Sequence, residues 1–132
     1  MKRHAWSMVV IFFTLGILSA GEASPYEKTL QTMIGNLDKI GVTLKTIVDE
    51  ESADAAKPTL RKEAVIWIEA RAKAAKLPPP ERDEKTRLEK MYKPKLEEAM
   101  RRVFTEVRRV ENIPGGKEAL KEINGVLKKD GK

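Results

Sequence analysis

The sequence predicts an all-α protein, an up-down-up antiparallel bundle of three long helices closed by a short C-terminal helix. Three observations carry that expectation. From residue 26 to about residue 129 the apolar side chains recur at steps of three and four, the period of a helix buried along one face. The pattern is punctuated by a polar turn at residues 49–52, by Leu77-Pro78-Pro79-Pro80 and by Ile113-Pro114-Gly115-Gly116. No stretch alternates as a strand would, and no segment repeats.

The first long helix, from about residue 26 to residue 49, carries Leu30, Met33, Ile34, Leu37, Ile40, Leu44, Ile47 and Val48 on one stripe. Gly41 lies on that stripe, where a missing side chain would admit a close neighbour. Gly35, followed by Asn36, is expected to point outward and to weaken or bend the helix, since an interior glycine costs roughly 1 kcal/mol relative to alanine. Ser52 is the expected N-cap of the second helix, residues 53–76, with Asp49, Glu50 and Glu51 near its positive end. The inner face of that helix gathers Ala53, Ala56, Leu60, Ala64, Trp67 and Ala74, and three prolines end it.

The third helix, residues 81–112, opens with Glu81, Asp83 and Glu84 and presents Leu88, Tyr92, Leu96, Ala99, Met100, Val103, Val107 and Val110 inward. Its outer face offers four acid-before-base pairs at i,i+4: Asp83 with Arg87, Glu89 with Lys93, Glu97 with Arg101 and Glu98 with Arg102. Pro58 and Pro94 fall opposite the apolar faces of their helices. Both are expected on the convex, solvent side of kinked but continuous helices. The short last helix, residues 117–129, points Ala119, Leu120, Ile123, Val126 and Leu127 inward.

Ahead of this domain, residues 1–23 have the layout of a secretory signal peptide. Met1-Lys2-Arg3-His4 is a cationic head, residues 5–18 are a nearly unbroken apolar run, and Ser19-Ala20-Gly21-Glu22-Ala23 supplies small residues for a peptidase. The apolar run is fourteen residues, short of the roughly 20 that span a bilayer, so cleavage after Ala23 is expected. The membrane would then be met only through this segment, before it is removed.

Composition narrows the chemistry. There is no cysteine, and the one histidine, His4, lies in the leader. The mature chain therefore has no thiolate nucleophile, no disulfide, no covalent haem attachment and no histidine base. No phosphate-binding glycine loop, nucleophile elbow or spaced carboxylate pair is present, so the expectation is a non-enzymatic protein with no catalytic residues, no cofactor and no metal. The net charge of +6 becomes +5 without Lys2, Arg3 and Glu22. Only Tyr26, Trp67, Tyr92 and Phe104 remain as aromatics, too scattered for base stacking, so nucleic acid is not an expected partner. An anionic envelope surface or another protein is.

Two features are candidate contact sites. Arg101, Arg102, Arg108 and Arg109 would bind anions if they shared a face, but seven-residue spacing sets Arg101 with Arg108 on one flank of the core stripe and Arg102 with Arg109 on the other. Val65-Ile66-Trp67-Ile68 cannot all turn inward; Trp67 and Ile68 are expected in the core, leaving Val65 and Ile66 as an apolar spot for an interface. Arg71 falls one turn beyond Trp67 on the inner face, its stem buried and its head lifted to water.

The run Leu44-Lys45-Thr46-Ile47-Val48-Asp49-Glu50-Glu51-Ser52-Ala53 with Leu60, and the run Lys90-Met91-Tyr92-Lys93-Pro94-Lys95-Leu96, resemble a group of small exported bacterial helical proteins and lipoproteins of unknown function. The chain departs from the group at Gly21, where a lipidated cysteine often stands. The resemblance implies a helical fold and a compartment outside the cytoplasm, and no activity. The expected role is an exported helical binding module, monomeric or homodimeric, of the bacterial envelope. The alternative is a periplasmic holdase chaperone, although the L-T-x-x-Q repeats of small helical chaperones are missing. Mass spectrometry of the protein recovered from its native envelope is expected to show Ser24 at the N-terminus; a chain beginning at Met1 would refute processing.

Overall fold

The computed structural model describes residues 24–127. The expected signal segment, residues 1–23, and the end of the expected last helix, residues 128 and 129, lie outside them. Among the described residues every regular element is helical: α1 (Pro25–Lys45), α2 (Glu50–Lys76), α3 (Arg82–Glu111), α4 (Gly116–Leu120), a 3-10 turn (Lys121–Ile123) and α5 (Asn124–Leu127). The expected three long helices and short C-terminal closure are present. That closure is broken into three pieces rather than one helix.

Local chemistry sets the boundaries. Ser24 caps α1, its Oγ accepting from the Glu27 amide at 3.1 Å, and Pro25 occupies the first turn, where no amide donor is needed. The helix stops at Lys45, a turn earlier than the apolar stripe predicts. Ile47 stays buried in the connection, but Val48 turns out to solvent. The α2 cap is Asp49, not Ser52: the Asp49 carboxylate accepts from the Ser52 amide at 2.8 Å, and Ser52 Oγ accepts from the Asp49 amide at 3.0 Å. This reciprocal box satisfies two helix-end donors and starts α2 three residues before the expected point.

Leu77 leaves α2 in an extended conformation and the prolines keep the chain extended until α3 begins. Pro58 and Pro94 both face solvent, and each helix runs through its proline without a break. After α3 the chain reverses through Gly115, whose φ of 79° suits glycine. At Gly116 a Cβ would run into the carbonyl oxygen of Val110.

The core is organised around α1, which packs along both α2 and α3, whereas α2 and α3 scarcely approach each other. Leu37, Ile40, Leu44 and Ile47 are fully buried between Leu60, Ala64 and Trp67 of α2 and Ala99, Val103, Val107 and Val110 of α3. Gly41 lies there too, but a Cβ would meet Val103 Cγ2 at 4.0 Å, an ordinary contact, so the close approach does not depend on glycine. At one end the short C-terminal helices fill the space between α2 and α3, with Ala119, Leu120, Ile123 and Val126 buried in the same core.

Gly35 faces solvent as expected, and the asparagine after it turns inward. Asn36 is buried, donating from Nδ2 to the Glu63 carbonyl at 2.9 Å and to Glu63 Oε1 at 2.6 Å. This places a polar pair in the α1–α2 interface. Of the four anticipated i,i+4 pairs, Glu98–Arg102 closes, while Arg87 turns to Glu27 and Glu84 instead of Asp83.

Glycine positions test this architecture in opposite directions. At solvent-facing Gly35 an added methyl would meet nothing within 4 Å, so Gly35→Ala is expected to stabilise by about 1 kcal/mol. Gly116→Ala is expected to destabilise. Urea unfolding should show the two midpoints moving apart at similar slope.

Candidate functional site

The separation of α2 from α3 leaves an apolar groove floored by α1. Two adjoining hollows of about 880 and 500 Å³ form it, sharing Tyr26, Leu30, Ala74 and Leu96. Met33 completes the floor. Trp67, Arg71 and Ala75 stand on the α2 wall, Met100, Arg101 and Phe104 on the α3 wall, and Val126 and Leu127 close one end. The other end is lined by Leu77, Pro79 and Pro80 of the connection between α2 and α3 and by Lys85 and Leu88 of α3. From Leu88 to Phe104 the α3 wall runs about 24 Å at 1.5 Å per residue.

The groove explains why the α1 stripe is buried unevenly. Leu37, Ile40 and Leu44 are sealed, while Tyr26, Leu30 and Met33 on the same face are only half-buried because no helix among the described residues covers them. Leu96 and Met100 are half-buried for the same reason, and Phe104 is 41% exposed. Trp67 is 4% exposed in the wall, and its indole N–H is buried with no acceptor among the described residues.

A polar network braces the end nearest the connection between α2 and α3. Glu27 is buried, with Oε2 accepting from the Tyr92 hydroxyl at 2.6 Å and Oε1 from Arg87 at 3.0 Å, while Gln31 Nε2 donates to the Tyr92 oxygen at 2.8 Å. The Tyr92 and Arg87 hydrogen bonds hold the Glu27 carboxyl below its ordinary range. Burial, and then the adjacent carboxylate, push the Tyr92 hydroxyl up. Lys95 Nζ sits 5.6 Å from the centre of the Tyr92 ring. A carboxylate so engaged and so acidic is a poor proton acceptor, so this cluster reads as a brace that ties α1 to α3.

The expected arginine cluster is divided by the structure. Arg109 donates from Nη1 to the Ile47 carbonyl and from Nη2 to the Leu44 carbonyl, both at 2.8 Å, and from Nε to Glu106 at 2.9 Å. It closes the C-terminus of α1, where carbonyls lack helical partners, and is a structural residue. Arg102 engages Glu98 and approaches Asp38 at 3.8 Å. Arg101 lies in the groove wall and Arg108 is exposed away from it. The four do not form one anion site.

The second candidate is corrected by one residue. Val65 is 49% exposed as expected, but its exposed neighbour is Ile68 at 50%, while Ile66 is half-buried. Ile68 lies over Gly125, where a Cβ would come within 3.0 Å of its Cδ1, so α5 takes up part of this side chain. Arg71 is half-buried in the groove wall. The groove itself was missed from the sequence, although half-filled apolar stripes on three helices were its signal.

Among the described residues no group of three or more His, Cys, Asp or Glu is placed to hold a metal, and no helix is long and apolar enough to cross a membrane. Comparisons with protein-family models, with curated proteins and with solved structures find no match for the chain.

The Glu27 brace has a pH signature. A carboxyl with a lowered folded-state pKa contributes stability above its ordinary value of 4.5, and that contribution disappears as pH falls through the lowered value. Glu27→Gln keeps the shape and removes the charge. The gap in Tm between wild type and this variant is therefore expected to be wide at neutral pH and to close in acid, as measured by circular dichroism across about pH 7 to 3.

Proposed function

We propose that this protein is an exported, non-enzymatic helical module of the bacterial envelope that binds a partner protein in the groove between α2 and α3. The observation that carries this reading is the row of Leu30, Met33, Leu96, Met100 and Phe104, kept large and apolar along an open channel instead of being covered. Contiguous exposed apolar surface costs solubility, and its ordinary use is association. The leader layout of residues 1–23 supports export, and the lack of cysteine and of histidine outside the leader supports a role without catalysis.

A holdase chaperone is the second reading. Its specific support is the pair Met33 and Met100 in the groove, since flexible thioethers adapt to varied clients. A holdase would suppress aggregation of unrelated unfolded proteins, whereas a dedicated module would not.

Site-specific photocrosslinking in the native envelope tests the first reading. A photoreactive phenylalanine analogue at Phe104 is expected to capture one defined species, absent when the probe replaces Val65 outside the groove. Equal capture from both positions, or from neither, would remove the groove as the binding surface.

A further inference from the structure

We propose that the pole of the bundle where α2 passes into α3 docks on an anionic lipid bilayer. The groove plays no part in this, and the two surfaces are tested separately. Three segments meet at that pole: the start of α1, the end of α2 and the start of α3, joined by the Glu27 brace and by the hollow that Tyr26, Ala74, Leu77 and Leu88 line together. Residues 24–28 and 73–95 carry nine basic and five acidic side chains, a net charge of +4. At the far pole, residues 45–63 and 104–122 carry eight basic and nine acidic ones, a net charge of −1. The positive excess of the domain is gathered at one end, which orients it toward a negative surface.

These charges are available for contact. Lys73, Lys76, Arg82 and Lys90 are exposed, and among the described residues only Arg87 of this pole is held in ion pairs, by Glu27 and Glu84. Residues 128–132 set Lys128, Lys129 and Lys132 against Asp130, so they add positive charge and do not cancel it. Within the cations lies an apolar tip: Pro78 and Pro79 are exposed, with Leu77 and Pro80 half-buried beside them. A soluble polyanion would use the charges alone. A bilayer uses both parts, its headgroups meeting the lysines while the tip enters the boundary, where prolines bring no amide donor to be stripped of water. Ser24, at which residues 1–23 join the domain, caps α1 at this same pole. While the apolar run at residues 5–18 is in place and meets a membrane, it delivers this end of the bundle to the surface first.

The chain has no cysteine, so one introduced cysteine takes a label at a single site. An environment-sensitive fluorophore is attached at Pro78→Cys or, at the far pole, at Val48→Cys, both exposed positions. Every protein is the full chain with Ile11→Asn, Phe13→Asn and Leu15→Asn, which interrupts the apolar run so that residues 1–23 do not insert by themselves. Sedimentation with phosphatidylglycerol vesicles is expected to show binding at least about tenfold tighter than with phosphatidylcholine, and that advantage should vanish near about 0.5 M NaCl. The label at residue 78 should shift to the blue on binding, and the label at residue 48 should not. Each basic residue at such a surface strengthens binding about fivefold, so the joint change of Lys73, Lys76, Arg82 and Lys90 to Glu should weaken it by at least about fiftyfold. The same total change at Lys45, Lys62, Arg108 and Lys117 should weaken it by less than about fivefold, because long-range charge is screened. All eight side chains are exposed, so circular dichroism should report an unchanged fold for both sets.

No preference for phosphatidylglycerol, equal losses from the two sets of reversals, or equal fluorescence shifts at residues 48 and 78 would overturn the proposal. So would binding to dextran sulfate as tight as to vesicles with no shift at residue 78 on vesicles, which would assign the pole to a soluble polyanion.

Discussion

The structure depends on α1 being the one long helix that packs against both of the others. Leu37, Ile40, Leu44 and Ile47 are removed from water completely, and burying a Leu or Ile side chain contributes about 1.5–3 kcal/mol each. With no disulfide to restrain the chain, this seam holds α2 and α3 in place. Their positions are defined against α1 and hardly at all against each other. A bundle built on a shared central helix has two flanks free to diverge. Here the C-terminal helices wedge one end of the gap, and the short connection from α2 to α3 spans the other.

Apolar seams alone would allow α1 to slide or rotate by a turn, and polar ties remove that freedom. Asn36 binds both the backbone and the side chain of Glu63, fixing α1 against the antiparallel α2. Against α3, which runs parallel to it, α1 is tied near each end: Glu27 to Tyr92 and Arg87 at its start, Arg109 to the Leu44 and Ile47 carbonyls at its finish. Exposed ion pairs such as Lys121–Glu118 contribute little by comparison, because solvent screens them. A buried donor or acceptor stripped of its partner costs about 1–3 kcal/mol, which makes a slipped register expensive. The Asn36 Oδ1 and Trp67 Nε1 atoms, buried without partners among the described residues, show that even the native register leaves two such costs in place.

The helices, their order and most of the core could be read from apolar spacing, because a periodicity of 3.6 reports which face is buried whatever covers it. Cap geometry was less legible: Asp49 and Ser52 can each cap α2 by type, and only the backbone decides that Asp49 stands outside and Ser52 at the third position. The buried Asn36 and Glu27 were hidden because each finds its partner on a helix distant in sequence. Arg109 was hidden likewise, its acceptors being backbone carbonyls that every residue carries. The Val65 and Ile68 exposure depends on where α5 lands beside Gly125, which a helical wheel cannot supply. The groove escaped because spacing says a face is apolar and is silent on whether the chain has enough helix to cover it.

Among the described residues, the uncovered stretch separates the side chains that hold the fold from those that could hold a partner. The sealed end of α1 carries stability, while Tyr26, Leu30, Met33, Leu96 and Met100 are only half-buried and Phe104 is exposed, so these contribute less to folding. Covering them would gain roughly 25 cal/mol per Å² of apolar surface, set against the freedom a partner loses on docking. The walls that would gain it are already positioned by the α1 seam and by the Glu27 brace, so little backbone ordering remains to oppose association. The α2 wall is low, with Ala74 and Ala75 beside Trp67, and the α3 wall is high, with Leu96, Met100 and Phe104.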